Sequence, residues 1–233
     1  MLEGDIMKVD DKKIKALISP HAGYIYSGQT ATWGYRQLSD RLINPHFVLI
    51  GPSHNYGFEG MAANSALYWQ TPLGQVKQIP SYDSDKNIFA YDEVHKQEHS
   101  VEVQIPFLQH LYQKLSVSCF LTGQSMDFHK VSNWLLEKFP KNIFIFSSDL
   151  SHYLPLEKAE EKDKKTIDAV LQLDDKYFLE NENTACGAIG LLLLMKMAGK
   201  MNWQRKLIHY ETSLNVSDDE EAVVGYSSIA FYE

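Results

Sequence analysis

The sequence predicts an α/β fold: a mixed sheet with helices on both faces. Three observations carry it. Short apolar, β-branched runs alternate with longer helical stretches along most of the chain. Three of those runs lead into a loop of Gly, Pro, Ser, Asn or Asp that carries a histidine, which is how parallel strands deliver residues to one sheet edge. The last two runs are separated only by the acidic loop NVSDDEEA, so they are placed to pair antiparallel and make the sheet mixed.

Taken in order, strands are expected at 14–18, 47–50, 117–121, 143–147, 206–210 and 227–232, each a run of β-formers. The stretch GMAANSALYWQTPLGQVKQI reads as a hairpin or β-arm turning at TPLG. Helices are expected at 29–38, in part of 100–112, and at 128–139, 156–171 and 186–198. In the second of these Pro106 either kinks a helix begun near Ser100 or starts one of its own. The 156–171 helix pairs Glu160 with Lys164 and Glu161 with Lys165 at i,i+4, a solvated face. The stretch GLLLLMKMA is apolar nearly all round and reads as a buried helix, with Met195 and Met197 as core fillers. With no repeat, low-complexity tract or long linker, residues 1–233 read as one domain whose charged start, 1–11, is frayed.

Composition narrows the function. Of 233 residues, 44% are hydrophobic and 22% charged, as in a globular chain with a real core. Lys and Arg number 22 against 30 Asp and Glu, a net charge of -8, which argues against nucleic acid and against an anionic membrane surface as partners. The most apolar stretch is far short of the roughly 20 residues that cross a bilayer. Cys119 and Cys186 read as free thiols in a reduced, cytoplasmic protein.

The chemistry-bearing residues lie in five segments. His21 follows a strand in SPHAGYIYSG, where Pro20 and Gly23 allow a rigid turn. His54 follows the strongest strand in GPSHNYGF. Asp149 and His152 share FSSDLSHYLP, spaced so that the carboxylate can orient the imidazole, although a helix N-cap explains Asp149 or Ser151 as simply. Glu98 and His99 lie in KQEHSVEVQIPFLQHL, where Glu98 and Glu102 would share a face. Cys186 opens the apolar helix in NTACGAIGLL, where a helix N-terminus favours the thiolate, though a small buried residue in a tight turn fits as well. The other histidines, His46, His95, His110, His129 and His209, lack such a context. No local metal motif such as HExxH or paired CxxC is present, so spacing alone only suggests a metal.

As an ordered set, SPHAGYIYSG, GPSHNYGF, EHSVEVQIPFLQHL, FSSDLSHY, ACGAIGLLLL and VGYSSIAF resemble the Memo-like family, known in prokaryotes as AmmeMemoRadiSam system protein B, from about Ile14 onward. The resemblance implies a three-layer α/β/α sandwich with a mixed central sheet, the fold of class III LigB-like extradiol dioxygenases. It implies a mononuclear metal pocket with His21, His54 and Cys186 as ligands, Cys186 standing where the dioxygenases carry a glutamate. His152 matches their acid–base histidine, with Asp149 beside it, and His99 matches a further pocket residue. Two histidines and a thiolate make a softer site than the facial triad of Fe(II) oxygenases; Fe(II) is favoured, with zinc and copper acceptable. Two departures stand out: the RxPAVAGxFYP start of many members is missing, and Ala188-Ile189-Gly190 replaces a segment that often holds a proline. The expected function is a metal-binding protein with a dioxygenase-like pocket, acting on a small molecule. The alternative is a non-catalytic module for a phosphorylated or anionic ligand, or for a protein partner in a radical-SAM-linked system.

Overall fold

A computed structural model describes residues 12–38, 42–83 and 87–233. The segment expected to fray, 1–11, lies outside the described residues. In chain order the elements are β1 (Ile14–Ser19), α1 (Tyr24–Tyr35), β2 (His46–Pro52), β3 (Met61–Ala63), β4 (Tyr68–Thr71), β5 (Gly74–Gln78), β6 (Ile88–Ala90), α2 (Ile105–Leu111), β7 (Ser116–Thr122), α3 (Phe128–Lys138), β8 (Ile143–Ser147), β9 (His152–Leu154), α4 (Leu156–Gln172), α5 (Asp175–Glu180), α6 (Ala188–Met201), β10 (Gln204–Thr212) and β11 (Val223–Tyr232).

The sheet runs β10-β11-β1-β8-β2-β7-β3-β6. Its centre, β1, β8, β2 and β7, is parallel. β11 lies antiparallel to both β1 and β10, and β3 antiparallel to β7, so the sheet is mixed as expected. Strand alternation builds two cores from one sheet. Ala16, Ile18, Val48, Ile50, Phe144 and Phe146 face the layer of α3, α4, α5 and α6. Leu17, Leu49, Cys119 and Ile145 face α1 and α2. The three-layer α/β/α arrangement follows, because central strands buried on both faces need cover on both. β4 and β5 pair antiparallel, with Thr71 opposite Gly74, which is the hairpin expected at TPLG.

Several boundaries differ from the sequence reading for local reasons. α1 begins at Tyr24, not near 29: Gly23 O accepts from Tyr26 N–H and Ser27 N–H, so the turn after His21 runs straight into the helix. The β-formers Tyr24, Ile25 and Tyr26 hid that first turn. α2 takes the second of the two readings, a new start with Pro106 in its first turn after a 3-10 turn at Glu102–Gln104. Glu98 and Glu102 therefore share no face: Glu98 is buried in the preceding loop and Glu102 is exposed. α6 begins at Ala188, so Cys186 belongs to its approach, not to its first turn. Short elements such as β6, β9 and α5 escape the sequence reading; each is too brief for periodicity to mark.

Candidate metal centre

The parallel centre of the sheet sets the site. Ser19 of β1 pairs with Ser147 of β8, and Ile50 of β2 with Phe146, so these strands end level with one another. His21, His54 and Asp149 each lie two residues beyond a strand end, at Ser19, Pro52 and Ser147. Cys186 arrives from the other layer, on the loop before α6. Gly187 lets that loop press against β8: a Cβ there would sit 2.7 Å from Ser148 Cβ and 2.9 Å from Ser147 O. Gly187 N–H donates to Ser148 Oγ at 3.0 Å and Cys186 N–H to Asp149 O at 3.3 Å.

His21 is buried. Its main-chain N–H donates to Asp149 Oδ1 at 2.7 Å, its Nδ1 lies 2.9 Å from Ser147 Oγ, and its Nε2 lies 3.2 Å from Cys186 Sγ. Asp149 N–H donates to the same sulfur at 3.1 Å. His54 is held by Glu98, a carboxylate only 2% exposed. Glu98 Oε2 accepts from His54 N–H at 2.7 Å, and Oε1 accepts from His54 Nδ1–H at 3.0 Å and Ser100 N–H at 2.9 Å. The His99 ring stacks on His54 with centroids 5.2 Å apart and meets His21 edge-on at 5.5 Å. His99 Nδ1 is 3.6 Å from Glu98 Oε1.

All six residues expected at the site are therefore brought together, in three overlapping groups. His21, His54 and Cys186 offer donor atoms within 4.8 Å of one another; so do His54, Glu98 and His99, and so do Asp149, His152 and Cys186. His152 is exposed and starts β9, with Tyr153 after it in a left-handed conformation at φ 54°. The residues that the sequence reading missed are Glu98, quoted there without a role, and Ser147 and Gln104 beneath His21. A carboxylate before a histidine carries no sequence sign of burial, so only the fold gives Glu98 away.

The electrostatics divide the two imidazoles. Burial pulls the His21 pKa down to about 4 despite Asp149. The hydrogen bond to Glu98 raises that of His54, against the effect of burial. Burial alone would raise Glu98, but the bonds from His54 and Ser100 outweigh it and carry its pKa down to about 2. Cys186 corrects an expectation. Burial, and then Asp149, push its thiol well above the ordinary range, an effect opposite in direction to the one expected from a helix N-terminus. Alongside lies a cleft of about 280 Å³ that includes His54, Cys186, Asn55, Tyr56 and Gln124; its lining contains no Lys or Arg.

Comparison with known proteins places the chain in a family. A family model described as Memo-like protein matches residues 2–230, and the chain belongs to that family. It is 36% identical to a MEMO1 family protein of Archaeoglobus fulgidus over 95% of this chain and 88% of that protein. It is 37% identical to MEMO1 family protein Ta0237 of Thermoplasma acidophilum over 91% of this chain and 83% of the relative. Among solved structures, the uncharacterized protein JW3007 from Escherichia coli K12 superposes with a TM-score of 0.52 at 12% identity, covering 94% of this chain and 99% of that one, a likeness of fold alone. No helix among the described residues is long and apolar enough to cross a membrane.

Proposed function

We propose that this chain holds one divalent metal, Fe(II) in preference to zinc or copper, through His21 Nε2, His54 Nε2 and Cys186 Sγ, and works as a non-haem metal-dependent oxidoreductase with a dioxygenase-like pocket. One observation carries the metal: three donor atoms from three separate loops stand within 4.8 Å of one another, close enough for small side-chain shifts to give each a bond of about 2.0–2.3 Å to a common ion. The donor set fits. Glu98 occupies Nδ1–H of His54 and leaves Nε2 free, and a carboxylate behind an imidazole raises its basicity as a ligand. Cys186 lies half-buried in an acidic corner where binding a cation releases the thiol proton.

When bound, the metal would polarise an oxygen-bearing ligand at the positions the three donors leave open. The rest falls to the chain. Asp149 clamps the His21 main chain and the approach to Cys186 through its carboxylate and its carbonyl. His152, exposed beside Asp149 and Cys186, moves the proton to or from the ligand. His99 closes one side of the pocket by stacking on His54. The neutral amides and hydroxyls of the cleft receive the rest of the ligand. The alternative, a module for an anionic or phosphorylated ligand, or for a protein partner in a radical-SAM-linked system, has less support: Glu98, Asp149 and Cys186 crowd the pocket, and the cleft supplies no Lys or Arg to meet an anion.

The test loads the wild type and His152→Ala with Fe(II) anaerobically and measures metal content and oxygen consumption with a panel of catechols. The variant is expected to keep its metal and lose turnover by roughly 10²–10⁴-fold. Wild-type protein that holds iron but consumes no oxygen with any catechol overturns the oxidoreductase reading and leaves the metal site standing.

A further inference from the structure

His21 sits on a chain of buried polar groups that begins at the far end of α1. Tyr35 in α1 donates its O–H to Gln104 Oε1 at 2.7 Å. Gln104 Nε2 donates to Pro20 O at 2.9 Å and to Ser147 Oγ at 2.7 Å. Ser147 O–H donates to Ser100 O at 2.5 Å, and the same oxygen lies 2.9 Å from His21 Nδ1. Tyr35, Gln104 and Ser147 are all buried, so water does not relax these choices.

Valence counting leaves one arrangement. Pro20 O and Ser100 O are carbonyl oxygens and only accept. The amide of Gln104 must therefore turn its nitrogen to Pro20, which also turns its oxygen to Tyr35. A hydroxyl has one proton and two lone pairs. Ser147 gives its proton to Ser100 O and one lone pair to Gln104 N–H. Only a lone pair remains for His21, so Nδ1 must carry a proton. With Nδ1 protonated, the neutral ring has its free lone pair on Nε2, the atom 3.2 Å from Cys186 Sγ. The opposite tautomer would set a bare nitrogen against an oxygen with no proton to share, or strip Ser100 O of its donor, and an unmet buried polar group is costly.

We propose that Ser147, oriented by Gln104 and Tyr35, is a positioning residue that locks His21 as the Nδ1–H tautomer and so presents Nε2 to the point shared with His54 and Cys186. The two imidazoles are thus prepared by different means: His54 rests on a carboxylate, His21 on a neutral relay. The consequence for metal affinity rests on the metal-binding reading above; the tautomer does not.

The experiment is long-range ¹H–¹⁵N correlation spectroscopy of the imidazoles in the metal-free full chain, with His54, anchored by Glu98, as the internal control. Zinc affinity by competition with a chelating dye is measured on the same samples. In the wild type His21 should show Nδ1–H alone. Ser147→Ala and Gln104→Leu should each populate the Nε2–H form while leaving His54 unchanged, and should weaken zinc by about 10–100-fold. Ser147→Thr, which keeps the hydroxyl, should restore both readouts. An Nε2–H His21 in the wild type overturns the proposal whatever the variants do, and so does a folded Ser147→Ala chain that keeps Nδ1–H. A wild type with the expected tautomer that takes up no zinc overturns the metal reading instead and leaves the tautomer assignment intact.

Discussion

Replacing Glu98 with Gln probes the least exposed carboxylate of the pocket with almost no change in shape. Its two oxygens accept three N–H bonds, from His54 N, His54 Nδ1 and Ser100 N, at 2.7, 3.0 and 2.9 Å. An amide offers one oxygen and one NH₂. If its oxygen takes the place of Oε1, the NH₂ faces His54 N–H; if it flips, the NH₂ faces both His54 Nδ1–H and Ser100 N–H. Either way at least one N–H of a buried or part-buried hydrogen bond is unmet, at a cost of about 1–3 kcal/mol. For a chain of this length that lowers the melting temperature by roughly 2–4 °C per kcal/mol. The lost charge behind His54 should also weaken metal binding by about 10–100-fold. The assays are thermal unfolding of the metal-free chain and a zinc competition titration, with the exposed Glu102→Gln as control. The pH dependence has a definite sign. The Glu98 pKa in the fold, about 2, lies below its ordinary 4.5, so its contribution is complete above about 4.5 and is lost as pH falls towards 2; Glu98→Gln should flatten that acid limb. A variant with unchanged stability, zinc affinity and acid limb would refute the role given to Glu98.

Other outcomes follow from the same geometry. Asp149→Asn keeps one oxygen for His21 N–H but removes a charge beside Nε2, so zinc affinity, read by the same titration, should fall by about 10–100-fold, short of the loss in His54→Ala. Both thiols of the metal-free chain should alkylate slowly at neutral pH, because burial raises both pKa values, with the half-buried Cys186 ahead of the fully buried Cys119; mass-mapped labelling led by Cys119 would contradict this. Gly187→Ala forces a Cβ to 2.7 Å from Ser148 Cβ, so the cysteine loop must shift; denaturant unfolding should show a loss of about 1–3 kcal/mol, and zinc affinity should fall with it.

The layers of the fold were legible because the central strands repeat one pattern. The apolar runs at 14–18, 47–50, 117–121 and 143–147 each fall within an observed strand, and alternation within them, such as Ala16 and Ile18 against Leu17, sorts the two cores. Strand ends told which histidines would meet: His21 and His54 stand at matching offsets from level strands, whereas His46 and His95 sit elsewhere. The partners that prepare those histidines were hidden. Glu98, Ser147 and Gln104 act through long-range contacts, such as that between His54 and Glu98, 44 positions apart, that no local spacing encodes. The thiol of Cys186 misled for a related reason. Its place before a helix is visible in sequence, but its burial beside Asp149 is not, and burial is the larger effect.

X-ray absorption at the zinc edge, on protein loaded with one equivalent, tests the central claim most directly. One sulfur at about 2.3 Å with two imidazole nitrogens at about 2.0–2.1 Å is the expected shell, and Cys186→Ser should remove the sulfur while the imidazole scattering remains. A wild-type shell of nitrogen and oxygen alone, or a sulfur that survives Cys186→Ser, would contradict a site built from His21, His54 and Cys186.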